Sequence, residues 1–316
     1  MRALLFLTLL FSLLFSSEIK EPTRSFTSSG GVVDLLYKEG RLYSATNASC
    51  VDVFDYKSGE LIKKIKVEKI EDFMGDKVDS KVYSVDLFNS KMLILSQDRQ
   101  GFRRVHIYQN EKMKLLFDYS KSLTVAKARF LDENTILLGL LSNELVSYDI
   151  NKGSINWMIQ VSGAKFSDFV LNETKEMVVV ADESGDLKIH STKDGKRLKL
   201  LSGQNLDNVF QVDYKNSIVA TAGQDRRAVI YDLKSDSSFF IESGFLIYSV
   251  GLSPSGRIVG YASDEENNIS LVDISSKTPL GKFGQNKMTL TKIVFVDENE
   301  FLAASDDRVI NLYSVK

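Results

Sequence analysis

Short apolar runs separated by polar turns fill the chain from Val32 to Val315. The turns read "YKEGRL", "FNSKML", "LDENTI", "LNETKE", "YKNSIV", "SPSGRI" and "VDENEF". Each lies between two runs rich in Val, Ile, Leu, Phe and Tyr, which is a hairpin signal. Within one unit, "NVFQVDY", "NSIVATAG", "AVIYDL" and "SFFIES" follow in order. Their partial alternation predicts strands that are half buried between neighbouring sheets. No segment sustains a helical period.

A second feature keeps the same beat. Third runs end in an aromatic residue or its substitute, often followed by aspartate: Phe54-Asp55, Tyr108, Tyr148-Asp149, His190, Tyr231-Asp232, Val272-Asp273 and Tyr313. From Tyr108 onward the steps are 40, 42, 41, 41 and 41 residues. Such a step marks an array of equal units. Seven units of four strands predict an all-β fold, a seven-bladed β-propeller. The last unit stops at its third run, "RVINLYSVK". Ile19 to Thr27 is expected to supply the missing fourth strand and so close the ring, leaving no exposed edge there.

These residues resemble the WD40 family. The aromatic–aspartate endings carry the likeness, with the turn aspartates Asp225, Asp264 and Asp306 and the "SPSG" turn at Ser253 to Gly256. The Gly-His pair of that family is absent, and only His106 and His190 occur. The Ser–His–Asp–Trp network of the family therefore cannot form, and the chain reads as a divergent, WD40-like propeller.

The first residues differ from the rest. "MRALLFLTLLFSLLFSSEIK" has one arginine, an apolar run from Ala3 to Phe15, then Ser16-Ser17. That run is too short for a span of about 20 residues and suits a signal peptide. The expected organisation is a signal peptide over 1–17 and a single propeller domain over 18–316. The expected location is the periplasm. One cysteine, Cys50, allows no internal disulfide.

Composition narrows the chemistry. A net charge of -2 gives no general attraction to nucleic acid or anionic lipid. His190 sits in the aromatic slot and is expected to pack within its blade. His106, beside "GFRR", is expected to be exposed or salt-linked. The two histidines fall in different blades, and Cys50 has no histidine nearby, so no nucleophile–base set is apparent. The acidic turn Asp182 to Asp186 reads as turn chemistry, not as a calcium loop. A single Trp157 does not fit the tryptophan stacking of quinone-dependent propellers. No catalytic, cofactor-binding or metal site is expected.

The expected role is a non-enzymatic scaffold with a protein partner. By general layout the chain is similar to the NapL family, WD40-like accessory proteins of periplasmic nitrate reductase systems. That likeness implies a nitrate reductase component as partner. A scaffold of outer-membrane protein assembly, and a propeller lactonase or esterase with a metal in its channel, are the alternatives.

One irregularity predicts where a partner sits. Phe54 to Tyr108 spans 54 residues, 13 more than the common step of 41. The excess lies in Glu68 to Lys81 and in Gln97 to Arg104, expected to meet at one rim of the second blade. Ile70, Phe73 and Met74 are spaced as on a short amphipathic helix. Phe102 stands among Arg99, Arg103 and Arg104. Aromatics beside arginine are the composition of interface anchors. Alternatively the two loops cover each other, with Glu71 and Asp72 pairing the arginines.

Overall fold

The computed structural model describes residues 18–316. Seven small sheets are arranged as a ring, a seven-bladed β-propeller consistent with WD40-like repeats. The blades begin at Val32–Lys38, Val82–Phe88, Val125–Phe130, Phe166–Leu171, Val209–Lys215, Val250–Leu252 and Leu290–Phe295. Each of these first strands lines the central channel. The following strands run antiparallel outward, so blade 5 reads Val209–Lys215, Ile218–Gly223, Arg227–Asp232 and Ser237–Glu242.

The burial pattern follows from this packing. Second and third strands lie between two neighbouring sheets, and nearly every residue in them is buried. That is why they read as continuous apolar runs. Fourth strands face solvent and alternate, as in Ser237–Glu242. The core is divided into seven apolar clusters, one between each neighbouring pair of blades. Gly251 marks the tightest inner contact between blades 6 and 7. A Cβ there would lie 2.5 Å from the Ile293 carbonyl oxygen.

The aromatic–aspartate endings have one physical cause. Each aspartate caps the turn from the third to the fourth strand. Asp55 accepts the Ser58 N–H at 2.7 Å, Asp149 those of Asn151 and Lys152 at 2.9 and 2.8 Å, and Asp273 those of Ser275 and Ser276 at 3.1 and 2.9 Å. Short side chains that bond their own backbone two or three residues on are typical turn makers. The aromatic before them packs between blades, and Tyr231 is 4% exposed.

Ring closure divides the N-terminal segment between two blades. Arg24–Thr27 pairs antiparallel with Val309–Ser314 and completes blade 7. Ile19–Lys20 does not join it. It runs parallel to Thr278–Phe283 as a fifth strand on blade 6, with Lys20 Nζ donating to the Val315 carbonyl at 3.0 Å. The expected single closing strand is thus a strap over two neighbours. The predicted signal peptide, 1–17, lies outside the described residues. Among those described, no helix is long and apolar enough to cross a membrane.

Candidate functional site

The ring has two distinct faces. The upper face carries the connections between blades and the turns from second to third strands. The lower face carries the other turns. The two insertions of blade 2 emerge on the upper face and do meet. Arg104 Nη2 donates to the Glu68 carbonyl at 2.6 Å and to Ser80 Oγ at 3.3 Å, and its Nη1 lies 3.5 Å from the Glu68 carboxylate.

Their internal structure differs from expectation. Glu68 to Lys81 forms a β-hairpin, Ile70–Glu71 against Lys77–Val78, not a helix. Gly75 at its tip has φ 86°, and Asp72 Oδ1 accepts the N–H groups of Met74 and Asp76 at 2.9 and 3.0 Å. A turn that needs positive φ and an aspartate cap cannot continue a helix. Ile70 is buried and anchors the hairpin, while Phe73 is 96% exposed and Met74 73% exposed at the tip. Glu71 and Asp72 do not pair with the arginines; Glu68 does.

The arginines have three different settings. Arg104 is buried and structural, also donating to the Gln97 carbonyl at 3.0 Å. Arg99 is exposed and stacks on Tyr119, with 3.8 Å from its guanidinium carbon to the ring centroid. Arg103 is half-buried over Tyr83 at 3.9 Å, and Phe102 beside it is half-buried. Tyr83 itself lines the mouth of the central channel, so this rim is continuous with the channel entrance. Phe210 and Tyr248, stacked at 5.3 Å, stand at the corresponding inner positions of blades 5 and 6.

The channel wall is polar. At one level the first strands contribute Asp34, Ser84, Lys127, Asp168, Gln211 and Lys292, with Ser249 just before the sixth, which alignment of the seven segments places in register. Lys127 Nζ lies 2.5 Å from Asp168, and Arg129 Nη2 lies 2.9 Å from Asp34. Burial pushes the Lys127 ammonium down to about 8, against the pull of Asp168. Asp34 is also desolvated, yet Arg129, Lys292 and Lys127 hold its carboxyl below the usual range. These acids also tie blades together: Asp34 accepts Val85 N–H at 3.2 Å, Asp86 that of Phe130 at 2.7 Å, Asp168 that of Val212 at 3.2 Å and Asp213 that of Leu252 at 2.8 Å. Sequence reading missed this set. Its only signal was a charged residue inside an otherwise apolar first strand.

The remaining polar residues are structural. His106 is buried, and burial beside Arg104 pushes its imidazole down to about 4, so the expectation of an exposed or salt-linked ring does not hold. His190 packs in its blade with Nδ1 2.8 Å from the Gly195 carbonyl. Cys50 opens the third strand of blade 1 and is buried, its thiol pushed up by desolvation. In place of the network typical of WD40 repeats, blade 4 buries Asp182 among Lys188 at 2.7 Å, Ser162 at 2.7 Å and Asn143 at 2.8 Å. Among the described residues no group of three or more His, Cys, Asp or Glu side chains is placed to hold a metal ion.

Comparison with family models and with curated proteins gives no match to this chain.

Proposed function

We propose that the propeller is a non-enzymatic interaction platform and that its upper face, centred on the blade 2 insertions, holds a protein partner. One observation carries this reading. The exposed large apolar side chains borne on loops all lie on the upper face: Phe73, Met74, Tyr119, Leu141, Leu206 and Met288. The lower-face turns expose none among the described residues. The outer fourth strands also expose apolar side chains, Leu61, Ile62, Met158 and Leu200 among them, but an apolar loop surface on one face, with arginine-stacked tyrosines inside it, has the composition of a partner site. Fold alone would not distinguish this from an enzyme, since propellers host both.

The finer reading is an accessory role for an exported redox enzyme, in assembly of a periplasmic nitrate reductase. Its support is the apolar leader and the overall repeat layout. The chain has no CxxCH haem motif and no iron–sulfur cysteine set, so its own part would be docking, not electron transfer.

Affinity capture from a periplasmic extract tests both levels. The wild-type ring should retain a defined protein that Phe73→Ala with Phe102→Ala releases, while the melting curve stays unchanged. Unchanged retention by a folded double variant would rule out this surface. Retention of a partner unrelated to nitrate reductase would refute the finer reading alone.

A further inference from the structure

We propose that the central channel, just inside its upper mouth, binds a small oxyanion on the ammonium groups of Lys292 and Lys127. The cavity there has a volume of about 160 Å³, room for about five water molecules. This space beside the two ammoniums accommodates an inorganic oxyanion or a short carboxylate.

Hydrogen-bond accounting at this level leaves donors in surplus. Asp168 Oδ1 accepts from Lys127 and its Oδ2 from the Val212 N–H. Asp34 Oδ1 accepts from the Leu35 N–H at 3.1 Å, and its Oδ2 from Val85 and Arg129. Gln211 donates to the Thr291 carbonyl at 2.5 Å and accepts from Ser249 at 3.0 Å. Thr291 Oγ1 donates to the Val32 carbonyl at 2.8 Å. Every side-chain carboxylate oxygen and the Gln211 amide at this level is therefore engaged. Lys292 Nζ makes no hydrogen bond or ion pair among the described residues, and Lys127 uses one of its three N–H bonds. A lysine ammonium presents three donors and no acceptor. The complement of such a surplus is a ligand that only accepts.

Asp34 and Asp168 balance Lys127 and Lys292 at this level, while Arg129, which reaches Asp34, belongs with Asp86 and Asp213 to the level below. Asp86 and Asp213 lie one level lower, where each accepts a backbone N–H. An oxyanion between the two ammoniums would also relieve the repulsion of Lys292 that depresses Lys127. This inference is independent of the upper-face partner, since its ligand is small and its residues lie inside the ring.

Isothermal titration calorimetry with sodium sulfate, sodium phosphate and sodium acetate, at ionic strength held constant with sodium chloride, is the test. Saturable one-to-one binding of at least one probe is expected; sulfate or phosphate alone would identify a tetrahedral inorganic ligand, and acetate alone a carboxylate. Lys292→Gln should weaken binding by about tenfold or more, as for a lost charge-assisted hydrogen bond, and Lys292→Arg should restore part of it. Binding should fall as pH rises through about 8, where Lys127 loses its charge. Absence of saturable heat with all three probes, or equal affinity in a folded Lys292→Gln variant, would overturn the proposal.

Discussion

Arg104 joins the two insertions of blade 2, and replacing it with methionine isolates what that junction contributes. Methionine keeps the apolar stem and removes the guanidinium. The Glu68 carbonyl loses one charge-assisted hydrogen bond, at 2.6 Å, and the Gln97 carbonyl a bidentate pair, at 3.0 and 3.2 Å. Such bonds contribute about 1.5–3 kcal/mol apiece. Both acceptors recover in part: Gln97 keeps the Ser80 hydroxyl at 2.9 Å, and Glu68 lies on an exposed loop. The net cost should therefore be about 2 kcal/mol. The Glu68 carboxylate, with a side chain 94% exposed, contributes little; Glu68→Gln should cost less than about 0.5 kcal/mol. Urea denaturation of both variants gives these values. Hydrogen exchange should show residues 68–81 opening in Arg104→Met before the blades do. Equal losses in the two variants, or unchanged exchange across 68–81, would refute the assignment of Arg104 as the anchor of the hairpin.

Tyr231→Ala should destabilise by about 3–5 kcal/mol, whereas Tyr231→Phe should cost about 1 kcal/mol for the lost Asn205 hydrogen bond; a loss below about 1 kcal/mol in the alanine variant would show the ring to be exposed. His106 has a folded pKa near 4, below its unfolded value of about 6.5. Its contribution is present above about pH 6.5 and is lost as pH falls toward 4, up to about 3 kcal/mol. Denaturation across that window should show a flatter profile for His106→Gln, and an unchanged slope would count against a neutral buried imidazole. Deleting residues 19–27 should leave blade 7 with an open edge and cause aggregation or a large fall in the melting temperature; a deletion variant that melts normally as a monomer would contradict closure by this strap.

The blade architecture was legible because its cause is periodic. The aromatic–aspartate ending answers a pair of requirements, a side chain packed between sheets and a capped turn; blades 1, 3 and 5 carry it in full, blade 2 ends in Tyr108-Gln109, and blade 7 has no such turn because Arg24–Thr27 supplies its fourth strand. The insertions were legible as departures from that period, and their meeting at blade 2 followed from the connectivity of the fold. Their conformation was not, because the spacing of Ile70, Phe73 and Met74 fits a helix and a hairpin tip alike; the positive φ at Gly75 decides it. Pairings across the ring, such as Arg129 with Asp34 over 95 positions, leave no local trace. Burial of His106 was misread for the same reason: its neighbours in sequence are polar, while its neighbours in space come from other strands.

The strap over blades 6 and 7 has a consequence for the order in which the molecule can be made. Thr23 and Ser25 bond to Leu312 and Asn311, partners 289 and 286 positions away. The two sides of this contact leave the ribosome 286 to 289 residues apart. Blades 1 to 5 can form as they emerge, but the segment that seals the ring stays unpaired until Val309–Ser314 has emerged. Contacts so distant along the chain slow folding and lengthen the life of open intermediates. Closure therefore waits for the last strand of blade 7, and any chain truncated before Val309 carries an unmated N-terminal strand.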